Sequence, residues 1–104
     1  MRTVAETPIF IRYASEIWSE AERQEFITFI AANPEAGAVI QGSGGCRKVR
    51  WSRPGIGKRG GARVVYFVAM DEVVWLLIVY SKAKFETLHK SFLAQLRQGA
   101  DDAI

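Results

Sequence analysis

The sequence predicts a compact α+β domain, with a mainly antiparallel four-stranded sheet, helices packed on one face of it, and a C-terminal helix. Three observations support this prediction. First, three strand-like segments follow one another between residues 46 and 80. Second, segments in which apolar residues have helical spacing flank these strands. Third, a chain of 104 residues that is 49% hydrophobic is large enough for one core. Residues 1–104 are therefore expected to form a single domain.

The N-terminal part is predicted to contain one strand and one helix. Residues 7–13 (T-P-I-F-I-R-Y) are rich in β-branched and aromatic residues, and Pro8 is tolerated where a strand begins, so this segment is predicted as the first strand. Ser19, with two acids in the turn that follows, is predicted to cap a helix. Apolar residues within 26–30 give that helix its buried face, and Pro34 ends it.

The remaining elements are predicted to be a three-stranded meander and a last helix. Residues 35–45 form a glycine-punctuated connection, Asp71 and Glu72 a tight turn, and Gly99 is predicted to end the C-terminal helix. The third strand is apolar on both faces and is expected to be central. The predicted strands are Cys46–Trp51, Ala62–Met70 and Val73–Tyr80, and the apolar positions of the last helix are Leu88, Phe92, Leu93 and Leu96.

The charges are distributed unevenly along the chain. Residues 1–45 contain three basic and six acidic residues, whereas residues 46–98 contain eleven basic and three acidic ones. The second half is therefore expected to bind a polyanion, and RNA is the predicted partner.

The predicted hairpin carries most of this basic charge. Lys48 and Arg50 are two residues apart and share one face of a strand, and Arg63 lies on the next strand. Tyr80 and Lys82, at the end of the third strand, are also two residues apart. Lys84 and His89 follow in sequence, and a solvated rim of long side chains is an alternative interpretation of the same residues.

The loop S-R-P-G-I-G-K-R-G-G between the first two meander strands lacks the spacing of a phosphate-binding P-loop. Lys58 and Arg59 are instead predicted to make non-specific phosphate contacts from its tip. One histidine and one cysteine do not make a metal site, and no metal or cofactor is predicted. Cleavage of RNA by its own 2′-hydroxyl needs only positioning, cations and two proton transfers, although a purely binding protein can use the same surface.

Several spaced motifs resemble a known family. The strings G-G-C-R-K-V-R-W, G-K-R-G-G-A-R-V-V-Y and L-L-I-V-Y-S-K-A-K follow A-A-N-P-E-A-G-A-V-I-Q-G-S-G-G in this order. Together they resemble the RelE/HigB toxins of type II toxin–antitoxin systems, in particular the HigB-like, phage-associated branch. The resemblance implies a metal-independent mRNA endonuclease that acts on the translating 70S ribosome. It also implies inhibition of translation and neutralisation by a cognate antitoxin, expected to be a helix-turn-helix protein encoded nearby.

The resemblance also implies roles for individual residues. Ala83 stands where RelE-type toxins commonly have an arginine, and His89 falls where they place a tyrosine. His89 is the best candidate for proton transfer, and Lys84 is expected to substitute for the missing arginine. The implied catalytic residues are Lys48, Arg50, Arg63, Lys82, Lys84 and His89, and the implied RNA-binding residues are Arg47, Arg53, Lys58, Arg59 and Tyr80.

Two other functions fit the same sequence pattern. One is inhibition of DNA gyrase, as in the ParE-type toxins, which share this architecture but generally lack the full basic set. The other is nucleic-acid binding without catalysis. The sequence also predicts a cytoplasmic protein without a membrane partner. Cys46 is its single cysteine, no apolar run is long enough for a membrane span, and the N-terminus does not resemble a signal peptide.

Overall fold

The fold is a mixed β-sheet with helices on both of its faces. The structure is a computed structural model that describes residues 1–52, 61–81 and 89–102. Within these residues the strands are β1 (Val4–Glu6), β2 (Ala38–Val39), β3 (Arg47–Trp51), β4 (Ala62–Val68) and β5 (Val74–Ser81), and the helices are α1 (Pro8–Ile17), α2 (Glu20–Ala32) and α3 (Lys90–Asp102).

The strand order in the sheet is β1-β5-β4-β3-β2. The pairs β2–β3, β3–β4 and β4–β5 are antiparallel, whereas β1 pairs in parallel with β5. The prediction of an α+β fold with a mainly antiparallel sheet is confirmed, but the described residues contain five strands and not four. The predicted first strand lies elsewhere, and β2 arises inside the segment predicted as a connection.

Residues 7–13, predicted as a strand, instead begin α1. The side chain of Thr7 caps this helix by accepting a hydrogen bond from the Phe10 N–H, and Pro8 occupies its first turn. Proline suits this position because its fixed φ matches the helix and its missing N–H would have had no partner there. The helix cap therefore determines the structure of this segment despite its β-branched residues, and the first strand, β1, lies just before Thr7.

The helix predicted after Ser19 is confirmed as α2. The Ser19 hydroxyl accepts from the Glu22 N–H, and the Glu22 carboxylate accepts from the Ser19 N–H, which completes a capping box. The helix ends at Ala32, and Asn33 forms its C-cap immediately before Pro34, as predicted.

The core has one layer on each face of the sheet. On one face Val64, Tyr66 and Val79 pack with Phe10 of α1 and Phe26 of α2. On the other face, the side chains of α3 pack on the sheet. The prediction that the helices pack on one face of the sheet is therefore wrong, because α3 packs on the face opposite to α1 and α2. The second layer contains Val65, Phe67, Ile78, Leu93, Leu96 and Ala100.

The last two predicted boundaries differ in outcome. Asp71 and Glu72 form the predicted turn between β4 and β5, where Glu72 has a φ of 70° and the Asp71 carboxylate accepts from the Val73 N–H. Gly99 does not end α3, which continues to Asp102. A glycine inside a helix costs only about 1 kcal/mol, and burial of Ala100 against the sheet favours the additional turn.

Candidate nucleic-acid interface

Strand β3 carries cations on one face only. Lys48 and Arg50 are exposed, whereas Val49 between them is buried on the opposite face. This is the alternation predicted from the sequence, because successive side chains of a strand point to opposite faces. The structure therefore confirms that these two predicted residues lie on the same face.

The register of the sheet places Arg63 beside Arg50. Arg50 is the direct cross-strand partner of Arg63, and Arg63 is the direct partner of Tyr80. Directly opposed side chains have Cβ atoms about 4.5–5.5 Å apart. Lys48, Arg50 and Arg63, which we call the basic row, thus form a contiguous cationic group at one end of the sheet.

The basic row has no counter-charge in the part of the chain that the structure describes. The ion pairs found there join Arg2 to Glu72 and Arg23 to both Glu6 and Glu20, and none involves the basic row. Two like charges directly opposite each other on a sheet are destabilising. The arrangement of Arg50 and Arg63 is therefore better suited to an external anion than to the isolated fold.

Tyr80 lies behind the basic row and not on its surface. The side chain is 1% exposed and packs in the layer under α3. Burial raises the pKa of the Tyr80 phenol, and the nearby positive charge of Arg63 opposes this shift only in part. A buried ring cannot stack on a base, so the predicted direct contact of Tyr80 with RNA does not fit its position.

Arg47 lies on the opposite face from the basic row. It is half-buried, and its Nη1 donates to the Gly37 carbonyl oxygen at 2.7 Å. Its cross-strand partner Tyr66 donates to the Pro34 carbonyl oxygen and accepts from the Gly37 N–H, both at 2.8 Å. These contacts fasten the segment after α2 to the sheet, which is a structural role that the sequence did not predict for Arg47.

The remaining predicted residues are placed as follows. His89 is exposed, and its carbonyl oxygen accepts from the Leu93 N–H at 3.1 Å at the beginning of α3. Arg53, Lys58, Arg59, Lys82 and Lys84 lie outside the described residues.

Trp51 is a feature of this region that sequence analysis missed. It follows Arg50 on β3, and it lines an open depression of about 720 Å³ together with Gln24, Glu25 and Thr28 of α2. The alternation of side chains along β3 could have predicted that Trp51 points away from Arg50. The packing of Trp51 against α2 could not be predicted, because it depends on the tertiary structure.

Cys46 is placed differently from a reactive cysteine. The thiol is buried, and burial raises its pKa, whereas reactive cysteines are partly exposed and have a lowered pKa. Among the described residues, no three or more side chains of His, Cys, Asp or Glu come together as a metal site would require.

The described helices include none with the length and apolar character needed to cross a membrane. No model of a known protein family matches the sequence.

Proposed function

We propose that the protein is the toxin of a type II toxin–antitoxin system and cleaves mRNA on the translating ribosome. The observation that carries this proposal is the basic row, three cations on one sheet face without an acidic partner among the described residues. The motif resemblance to RelE/HigB toxins supplies the reaction, and a cognate antitoxin would neutralise the protein. ParE-like gyrase inhibition and nucleic-acid binding without catalysis are the competing functions.

The basic row suits the transition state of RNA cleavage. Attack of a 2′-hydroxyl on the adjacent phosphate places additional negative charge on the phosphoryl oxygens, and fixed cations stabilise that charge. Arg50 and Arg63 are held by a paired sheet, which keeps their backbone positions fixed before the substrate arrives. Guanidinium groups can contact phosphate through two parallel N–H donors.

Proton transfer requires a group other than the basic row. His89 is exposed, and an imidazole has one nitrogen that can accept a proton and one that can donate it. Tyr80 is less suited to this role because its side chain is buried under α3. We assign His89 the proton transfer, with the 2′-hydroxyl of the RNA as the nucleophile.

The test is primer extension on a defined mRNA in a reconstituted translation reaction, with and without ribosomes. We expect cuts only when ribosomes are present, and Arg63→Ala should reduce cleavage about 100-fold, since a single lost transition-state donor costs about 10²–10³ in rate. Arg12→Ala removes an exposed cation on α1, away from the sheet face of the basic row, and is the matched control.

Other outcomes would overturn the proposal. Intact mRNA in all lanes with folded protein would exclude the nuclease, and gyrase-dependent DNA damage would then favour the ParE-like function. Strong, salt-dependent binding of RNA without cleavage would favour a nucleic-acid-binding module. Cleavage that is equal in Arg63→Ala and Arg12→Ala would remove Arg63 from the mechanism.

A further inference from the structure

The depression beside Trp51 has an aromatic floor and a polar wall. The wall comes from one face of α2, where Ala21, Gln24, Glu25 and Thr28 have the spacing of side chains that neighbour one another on a helix. All four are exposed, and Trp51 is half-buried beneath them. The depression therefore offers an amide, a carboxylate and a hydroxyl above an indole.

The indole of Trp51 packs against two aromatic rings of α2. Its ring lies 4.7 Å from the Phe29 ring centroid and 5.5 Å from that of Phe26. Its buried Nε1–H has no hydrogen-bond partner among the residues that the structure describes. Because this nitrogen is shielded from solvent, the part of Trp51 that a ligand can reach is the ring surface that lines the depression.

The depression and the basic row lie on opposite faces of the sheet, next to the edge that β3 forms among the described strands. Among the described strands, β2 pairs with β3 only at Arg47 and Lys48, so no described strand lies on that side of Arg50 and Trp51. These two residues point to opposite faces of that edge. A single-stranded RNA can thus contact Arg50 with a phosphate and turn the neighbouring base around the edge toward Trp51.

The chemistry of the wall favours a base over a phosphate. The Glu25 carboxylate repels phosphate and accepts hydrogen bonds, and proteins that read single-stranded RNA combine stacking on aromatic rings with hydrogen bonds to base edges. Guanine presents two adjacent N–H donors on its Watson–Crick edge, which match the two oxygens of a carboxylate. We propose that this depression binds a guanine base of the RNA chain that the basic row holds, with Trp51 as the stacking surface and Glu25 as the edge acceptor.

This inference rests on the proposed function for its substrate, but its test does not require cleavage. Guanosine 3′-monophosphate and the three other ribonucleoside 3′-monophosphates would be titrated into the full chain, with the indole N–H signals of the three tryptophans followed by NMR. The Trp51→Phe variant assigns the signal of Trp51. We expect guanosine 3′-monophosphate to shift this signal saturably, with the other nucleotides binding about tenfold more weakly.

Substitution of Glu25 tests the edge contact without disturbing the core, because the side chain is exposed. Glu25→Gln should remove the preference for guanine, whereas Glu16→Gln on α1, outside the depression, should retain it. Equal binding of all four nucleotides to the wild-type protein with an unmoved Trp51 signal would overturn the proposal. So would an unchanged guanine preference in Glu25→Gln.

The cleavage assay separates this inference from the proposed function. Cuts whose sequence context is the same for wild-type and Glu25→Gln protein would overturn the guanine pocket and leave the nuclease intact. No cleavage, together with guanine-selective shifts of the Trp51 signal, would overturn the nuclease and leave the pocket intact.

Discussion

Arg63 and Tyr80 are direct neighbours across two strands, but only Arg63 is accessible. We therefore expect Tyr80→Phe to leave RNA affinity unchanged within about twofold, because the substitution keeps the buried ring and removes no surface charge. Arg50→Ala should lower affinity and reduce the slope of log K against log salt by about 1, as expected for one lost phosphate contact. Binding across a salt series measures both effects.

An equal loss of affinity in Tyr80→Phe and Arg50→Ala would contradict this separation. It would mean that the phenol contacts RNA directly and that α3 moves away from the sheet on binding. Thermal denaturation of both variants, compared with the wild-type protein, controls for loss of fold.

Two glycines provide a matched pair for a stability measurement. A Cβ at Gly37 would lie 2.9 Å from the Lys48 carbonyl oxygen and equally close to the Tyr66 ring and hydroxyl, whereas a Cβ at Gly99 would meet nothing within 4 Å. Gly37→Ala is expected to lower the free energy of unfolding by about 1–3 kcal/mol because the packed sheet must shift. Gly99→Ala, inside α3, should raise it by about 0.5–1 kcal/mol.

Urea denaturation of the two variants measures both the expected decrease and the expected increase in the free energy of unfolding. Destabilisation by Gly99→Ala would indicate that α3 does not form a regular helix at this position. An unchanged midpoint for Gly37→Ala would show that the segment after α2 does not lie against Tyr66 as described.

At the residue scale, alternation along a strand made part of the site predictable. It placed Lys48 and Arg50 on one face, and the structure agrees. The position of Tyr80 was not predictable, because whether the end of β5 is covered depends on α3, whose placement is not encoded locally. The contact of Arg47 with Gly37 depends on β2, which is only two residues long.

At the element scale, the capping box of α2 can be tested by one substitution. Ser19→Ala removes the hydroxyl that accepts from the Glu22 N–H and should lower the free energy of unfolding by about 1 kcal/mol. Ser15→Ala is the control, since that hydroxyl only donates to the Arg12 carbonyl within α1. Urea denaturation should place the Ser15→Ala midpoint near that of the wild-type protein. Equal destabilisation by both would argue against a specific cap.

The elements differ in how well the sequence specifies them. α2 and strands β3, β4 and β5 carry strong local signals, namely a cap followed by acids, apolar alternation and a turn at Asp71, and all were predicted. Residues 7–13 carry two conflicting signals, and the Thr7–Pro8 cap decides between them. Strand β2 has two exposed residues and no apolar pattern, so only its pairing with β3 identifies it.

At the scale of the whole molecule, two buried phenols predict sensitivity to alkaline pH. Burial raises the pKa of Tyr66 and of Tyr80 above the ordinary value of 10.0. Above about pH 10 the unfolded chain releases these protons while the folded protein retains them. The stabilisation is therefore fully present below pH 10 and is lost as pH rises through the folded pKa values.

Urea midpoints measured between pH 8 and pH 11 test this expectation. Tyr66→Phe should be less stable at pH 8, because it leaves the Gly37 N–H and the Pro34 carbonyl without their side-chain partner. Above pH 10 its stability should fall less steeply than that of the wild-type protein. Parallel curves for the two proteins would show that ionisation of Tyr66 is not coupled to unfolding.

The N-terminal strand joins the fold through a very distant partner. Val4 pairs with Val74, and the hydroxyl of Thr7 donates to the carbonyl oxygen of Leu76, 69 residues further along the chain. During synthesis, β1 and α1 leave the ribosome before β5, the strand that completes their environment. Chain entropy also makes such a distant pairing slow to form. The newly made chain therefore holds β1 without its strand partner until β5 has emerged from the ribosome, and the finished sheet can form only after that point.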